Sequence, residues 1–242
     1  MTTKTRNSAR ILGGVVGFVV VATALIGFAH TKAGRPLRPL LVLIERAVPA
    51  STARCPLGYD VKATPAAREA GRRRFAATHA GLAVAGARPA LGFTLDVTSR
   101  SDVQAWAAAH GVRCVPPRSG ADLECDDVPP AALPAELGGV GLKTLWLELG
   151  AGDRLIAVRA LRQAPQVAPV SDAFGTLTAT LRRRVGQPVA VRGEATPAAL
   201  SAGTLRQASA EYRFKDYYAI TRATNLGRDG FALTEEYRSL PN

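Results

Sequence analysis

The stretch EYRFKDYYAITRATNLGRDGFALTEEYRSL, residues 211–240, decides the fold class that the sequence predicts. It contains two runs rich in aromatic and β-branched residues, separated by a polar, glycine-containing segment between Asn225 and Gly230. Runs of this kind around such a segment favour a long antiparallel hairpin. The C-terminal part of the chain therefore predicts that antiparallel sheet is a main component of the fold.

The first strand of this hairpin has two faces of different character if residues 211–221 form one continuous strand. One face carries aromatic and aliphatic side chains that we expect to pack in the core: Tyr212, Phe214, Tyr218 and Ile220. We expect the opposite face to be exposed and to form a candidate partner surface, which consists of Arg213, Lys215, Tyr217 and Thr221.

Three upstream segments predict helices, over residues 64–81, 101–111 and 171–188. In the second segment, Ser101 and Gln104 have the spacing of a capping box, in which each side chain bonds the other residue's backbone N–H. In the third segment, Phe174, Leu177, Leu181 and Val185 recur at helical spacing, and Gly186 marks the end of the helix.

Strands alternate with these helices without a regular βαβ order. Residues 91–97 alternate apolar and polar as a half-buried strand does, and residues 142–161 predict a hairpin that turns near Gly150. This mixture favours an α+β domain with a mainly antiparallel sheet and helices packed on one face, a two-layer sandwich. The order strand, helix, glycine, strand occurs at 91–115 and again at 155–192. This weak repeat leaves open the alternative that the domain consists of two related halves.

Two of the three cysteines lie in RCVPPRSGADLEC, residues 113–125. If this segment is a hairpin centred on Ser119 and Gly120, Cys114 lies opposite Cys125. Opposed strand residues are about 4.5–5.5 Å apart, which is within disulfide range. The sequence therefore predicts a disulfide, because it lacks both a C-x-x-C motif and enough clustered ligands for zinc. Two free buried thiols are the alternative, and the pairing of Cys55 stays open.

The N-terminal part contains a candidate membrane span. Residues Ile11–Ala29 form nineteen consecutive uncharged residues, which is long enough to cross a hydrocarbon core of about 30 Å. A cleaved signal peptide is the alternative, because Gly27 and Ala29 give the small-x-small form of a cleavage site. The predicted organisation is a basic tail (1–10), an anchor or uncleaved signal (11–29), a connector (30–63) and a soluble domain (64–242).

The net charge of +12 is concentrated near the N-terminus. Residues 1–83 hold 13 of the 31 Lys and Arg residues and only three acidic residues. The nearly neutral remainder lacks the positive excess that drives non-specific binding to nucleic acid. Anionic lipid is the nearer partner for the basic residues. The candidate lipid contacts are Arg35, Arg38, Arg46, Arg72, Arg73 and Arg74.

No catalytic, metal-binding or cofactor motif is recognisable in the sequence. The adjacent acids Asp126 and Asp127, like Glu235 and Glu236, point to opposite faces of a strand, so neither pair forms a site by itself. The predicted function is a membrane-anchored binding or scaffolding module of a bacterial-type cell envelope. It would be single-pass in the inner membrane, with its domain outside the cytoplasm, or secreted if the signal is cleaved.

The expected partners are membrane lipid, through residues 11–29, and an envelope protein or ligand; neither nucleic acid nor a cofactor is expected. Two alternatives stay open. One is an envelope hydrolase or transferase whose carboxylates meet only in the fold. The other is a cytoplasmic-facing domain whose basic neck binds nucleic acid or anionic lipid.

Overall fold

The structure is a computed structural model that describes residues 65–116, 122–137 and 139–241. These residues form an α+β fold with a large antiparallel sheet, as the sequence predicts. The predicted tail, anchor and connector lie outside the described residues. Within the described residues, no helix is both long enough and apolar enough to span a membrane.

The described residues form the following elements. The α-helices are α1 (Pro65–His79), α2 (Arg100–Ala109), α3 (Val167–Val185) and α4 (Pro197–Ser201). The strands are β1 (Pro89–Ala90), β2 (Phe93–Thr94), β3 (Cys114–Val115), β4 (Leu123–Val128), β5 (Leu142–Leu149), β6 (Leu155–Ala164), β7 (Ala190–Arg192), β8 (Gln207–Arg213), β9 (Tyr217–Asn225) and β10 (Phe231–Ser239).

Eight strands form one sheet in the order β3-β4-β5-β6-β10-β9-β8-β7, and every neighbouring pair is antiparallel. The sheet contains two sets of four consecutive strands, and each set follows a helix, α2 or α3. Gly111 and Gly186, both with positive φ, follow these helices. The last strands of the two sets, β6 and β10, pair with each other at the centre of the sheet.

Helices cover the two faces of the sheet unequally. The main core lies on the inner face, where Val103 of α2, Leu177 of α3 and Leu200 of α4 are buried with strand residues. Helix α1 packs against the opposite, outer face, where Ala76 is buried with Tyr218 and Leu240. The prediction that the helices lie on one face is therefore wrong for α1.

The apolar spacing in α3 gives the helix that the sequence predicts. Phe174, Leu177, Leu181 and Val185 are all buried, and the helix ends at Gly186, whose φ of 109° suits glycine. Three arginines, Arg182–Arg184, occupy the last turn, where positive charge favours the helix dipole. The helix begins at Val167, one turn before the predicted start.

Helix α2 has a capping box, but two residues upstream of the predicted one. The Asp102 backbone N–H donates to Ser99 Oγ over 3.2 Å, and the Ser99 backbone N–H donates to Asp102 Oδ2 over 2.7 Å. These bonds from Ser99 lower the pKa of Asp102. The predicted cap at Ser101 and Gln104 is wrong, because the helix already begins at Arg100.

Residues 91–97 do not form the predicted strand. The chain reverses between β1 and β2, and Leu91 and Gly92 at this reversal have φ values of 55° and 93°. A two-residue turn with both φ values positive is the favoured connection of a tight hairpin. Alternating apolar residues therefore arise here from two short strands, and Leu91, Phe93 and Leu95 are buried.

The hairpin over residues 217–239 has the predicted turn, but its first strand is shorter than expected. The chain reverses at Lys215 and Asp216, where the Phe214 backbone N–H donates to Tyr217 O over 2.8 Å. This reversal pairs Tyr212 with Ala219 and so changes which residues share a face. Tyr217 and Thr221 therefore lie on the inner face, fully buried, and cannot belong to the predicted exposed surface.

The register of β3 and β4 is the predicted one. Cys114 pairs with Cys125, and their Sγ atoms lie at the bonding distance of 2.03 Å. Residues 117–121, which contain the predicted turn, lie outside the described residues, as does Cys55. The prediction that a hairpin places Cys114 opposite Cys125 is thus confirmed.

An ion pair is buried where the two sets of strands meet. Arg162 on β6 is 2% exposed, and its Nε donates to Glu235 Oε1 on β10 over 2.6 Å. Tyr237 Oη donates to Glu235 Oε2 over 2.7 Å, and Arg162 Nη1 donates to the carbonyl of Val140. Each charge therefore has several partners, which buried ions require.

We predict that Glu235→Leu lowers the free energy of unfolding by about 3–5 kcal/mol, because it leaves the Arg162 charge buried without its counterion. The double variant Arg162→Met/Glu235→Leu should recover most of this loss, since no buried charge remains. Glu236→Leu, one residue along on the outer face, is the matched control and should cost less than about 1 kcal/mol. Urea unfolding measures the free energy of unfolding of all three variants. A small effect of the single substitution Glu235→Leu would contradict the prediction.

Candidate functional site

The histidines of the domain have structural contacts. His79 stacks on Phe75 with ring centroids 4.1 Å apart, and His110 Nδ1 lies 2.8 Å from Trp106 O at the end of α2. In the described part of the chain, no group of three or more His, Cys, Asp or Glu side chains could hold a metal ion.

Two surface depressions of the described residues differ in their lining. One near α2, of about 250 Å³, is an aromatic slot lined by Phe93, Trp106 and His110. Another, of about 480 Å³, lies beside the β9–β10 turn and is lined by polar residues such as Lys143, Gln163 and Arg228. Neither contains a pair of carboxylates.

Glu235 and Glu236 point apart as predicted, whereas Asp126 and Asp127 are both exposed. Glu235 is buried on the inner face, whereas Glu236 is half-buried on the outer face and bonds Arg238. Arg238 also pairs with Glu148 at 3.2 Å and lies 4.9 Å from the centre of the Phe75 ring. Burial, together with the positive charge of Arg238, lowers the pKa of Arg159 to about 10. This part of the outer face is thus a network of neutralised charges at the edge of α1.

Asp122 and Glu148 are two carboxylates that the fold brings close enough to interact. Asp122 is half-buried and precedes Leu123, which pairs with Leu147. Burial raises the pKa of Asp122, and the negative charge of Glu148 raises it further. Glu148 already has Arg238 as an ion-pair partner, so its carboxylate is engaged within the sheet.

The outer face beyond α1 forms an extended surface, which we name the open half-face. Its members are Thr144, Trp146, Leu161, Ser209, Arg222 and Thr234. The strand pairing places Arg222, Thr234, Leu161 and Thr144 in one row across four strands. Thr234 is exposed and the other five are half-buried. Trp146 and Arg222 are the residue types that most often dominate protein interfaces.

The predicted site residues are separated by the fold. Of the candidate partner surface, Arg213 and Lys215 remain at the surface around the β8–β9 turn, whereas Tyr217 and Thr221 are in the core. Of the candidate lipid contacts, Arg73 and Arg74 are exposed on α1. Arg72 instead bonds Ser239 Oγ at 2.7 Å and Asp96 Oδ1 at 3.3 Å. Arg35, Arg38 and Arg46 lie outside the described residues.

Sequence reasoning missed the open half-face. Its members come from β5, β6, β8, β9 and β10, so they become neighbours only through the strand order. The local signal was the alternation in β5, where Thr144, Trp146 and Glu148 alternate with leucines. That signal indicates a surface but not which other strands complete it.

We predict that Asp122→Asn raises the free energy of unfolding at pH 7 by up to about 1 kcal/mol. The folded-state pKa of Asp122 is raised, so between the unfolded and folded pKa values the folded chain binds more protons. Its contribution to stability therefore falls as pH rises through the folded pKa. The increase in the free energy of unfolding caused by Asp122→Asn should therefore shrink towards zero at pH 4. Urea unfolding at pH 7 and at pH 4 measures this increase, and Asp126→Asn, at an exposed position, is the control.

Comparison with protein-family models, with curated proteins and with solved structures finds no match to this chain. Its function must therefore be inferred from its own residues. The open half-face and the surface around the β8–β9 turn are the features from which such an inference can begin.

Proposed function

We propose that this chain is a membrane-anchored, exported binding or scaffolding module whose partner surface is the open half-face. The observation that carries the proposal is the open half-face itself. An antiparallel sheet commonly has one face on the core and one face in water, and here α1 covers only one end of the outer face.

The chemistry of the open half-face suits a protein partner. Leu161 and Trp146 supply apolar area, while Thr144, Thr234 and Arg222 supply hydrogen-bonding groups around it. Interfaces combine an apolar centre rich in aromatic residues and arginine with a polar rim. A shallow surface of this kind favours a macromolecular partner over a small molecule, which usually needs a deeper cavity.

Export is supported by the cysteine pair and by the N-terminal sequence. Cys114 and Cys125 lie at bonding distance, and disulfides persist mainly outside the cytoplasm. The uncharged run Ile11–Ala29 would supply the anchor, with the domain on the non-cytoplasmic side. Cleavage of that run would instead give a secreted module with the same partner surface.

Site-specific photo-crosslinking tests the partner surface. With p-benzoylphenylalanine at Thr234, in the middle of the open half-face, we expect one discrete adduct in native membranes. The same probe at Ala179, an exposed position of α3, is the matched control and should give none. Arg222→Glu should weaken the Thr234 adduct by about tenfold, since truncating an arginine anchor often costs more than 1 kcal/mol. No adduct at Thr234, or equal adducts at both positions, would contradict the proposal.

Thiol labelling tests the compartment. Native membranes are denatured in the presence of a heavy maleimide, which labels every free thiol. We expect one labelled thiol without reduction and three after reduction, because Cys114 and Cys125 are paired. The Cys114→Ser/Cys125→Ser variant should show one in both conditions. Three labelled thiols without reduction would contradict export and favour the cytoplasmic-facing alternative.

A further inference from the structure

Aliphatic side chains are exposed together at one end of the sheet. Leu82 is 103% exposed and Val84 is 65% exposed on the loop after α1, and Val97 is 57% exposed on the loop before α2. The two loops are joined by Arg88, which bonds Asp96 at 2.6 Å and lies 4.0 Å from Asp216. Large apolar side chains that share an exposed surface indicate an interaction site.

The loop that carries Leu82 and Val84 is held firmly. The Gly81 backbone N–H donates to Phe214 O over 3.0 Å, and the Lys215 backbone N–H donates to Ala83 O over 2.7 Å. The Ala85 backbone N–H donates to Asp216 Oδ1 over 2.8 Å. We name residues 81–85 with the β8–β9 turn the apolar clip. Its geometry directs the Leu82 side chain into solvent, and it does so without a loose segment.

Glycine is required where the clip begins. A Cβ atom at Gly81 would lie 2.2 Å from the carbonyl oxygen of Arg213, so any other residue would push the loop away from the turn. The exposure of Leu82 and Val84 therefore follows from a close backbone contact. It is a built feature of the fold.

Exposed cations lie near the apolar clip, and of these Arg73 pairs with Glu69 at 3.9 Å. Lys215 is exposed at its tip and makes no ion pair within the described residues. Arg73 and Arg74 are exposed on α1, which ends two residues before Gly81. The neighbouring acids are engaged: Asp96 by Arg72 and Arg88, and Asp216 by the Ala85 backbone. The clip thus combines unshielded apolar groups with positive charge.

We propose that the apolar clip rests on an anionic lipid bilayer, with Leu82 and Val84 inserted among the headgroups and Lys215 bound to lipid phosphate. Apolar insertion and attraction to anionic lipid together give this kind of peripheral contact. The inference rests on the proposed membrane anchoring, because α1 and the clip are the first described elements after the connector. It adds a defined orientation: this end of the sheet faces the membrane, and the β9–β10 turn faces away from it.

The experiment uses the full chain in nanodiscs, with Cys55→Ser removing the third cysteine. An NBD fluorophore at Val84→Cys reports on the clip, and the same label at Val191→Cys, where valine is 55% exposed on β7, is the control. In phosphatidylcholine discs containing phosphatidylglycerol, we expect the fluorophore at residue 84 to show blue-shifted emission and to be quenched by doxyl-labelled lipid. The fluorophore at residue 191 should show neither effect. Discs of phosphatidylcholine alone should give a weaker response.

Charge variants separate the bilayer from other occupants. Lys215→Gln should lower the ratio of inserted to free clip about fivefold, the effect of one lysine near an anionic surface. Arg228→Gln, in the β9–β10 turn beyond the far end of the nine-residue strand β9, should leave this ratio unchanged. Because purified discs contain no protein partner, a response at position 84 supports lipid contact directly.

The outcomes that overturn the inference differ from those that overturn the anchor. A chain that incorporates into discs but shows water-like emission at position 84, or equal quenching at positions 84 and 191, overturns the lipid contact alone. A chain that fails to incorporate overturns the anchor. In that case the same labelled chain is mixed with anionic vesicles, where a response at position 84 supports the contact and none overturns it.

Discussion

The pairing of β6 with β10 is the constraint on which the rest of the structure depends. These strands end the two sets of four, so without their pairing the eight-stranded sheet would separate into two. Arg162 pairs with Leu233 and Glu235 pairs with Ala160, which makes Arg162 and Glu235 diagonal neighbours across this junction. A one-residue slip would move one charge to the other face and leave its partner buried alone, which is strongly destabilising. The ion pair therefore favours a single register.

This junction also determines how the two faces are used. Because Arg162, Glu235 and Tyr237 satisfy one another on the inner face, α3 can pack over charged residues without leaving them unpaired. The outer face then has only α1 across one end, and its charges near that helix are neutralised by Arg238 and Glu148. The remainder is the open half-face. The asymmetry between the inner face, which holds the main core, and a partly covered outer face is what locates the open half-face.

Local signals in the sequence predicted much of this fold, and long-range contacts account for what they missed. The Cys114–Cys125 register was predictable because a hairpin relates residues by simple symmetry about its turn. The buried face of α3 followed from helical spacing. Arg162 was not predictable as a core residue, because an arginine in a strand usually lies on an exposed face and its partner is 73 residues away. The open half-face was hidden for the same reason, since strand order creates it.

The β8–β9 turn links the clearest error to the most informative surface. Lys215 and Asp216 form a reversal without glycine, proline or asparagine, so the composition of residues 211–221 favours one continuous strand. Two contacts from the loop after α1, to Phe214 and Lys215, brace the reversal instead. The reversal buries Tyr217 and leaves Lys215 at its tip, and the contacts that brace it hold Leu82 in solvent. Gly81, which the sequence indicates only as the end of a helix, is the residue that permits this approach. Two long-range backbone contacts therefore brace the reversal that removes Tyr217 from the surface, and they also create the apolar clip.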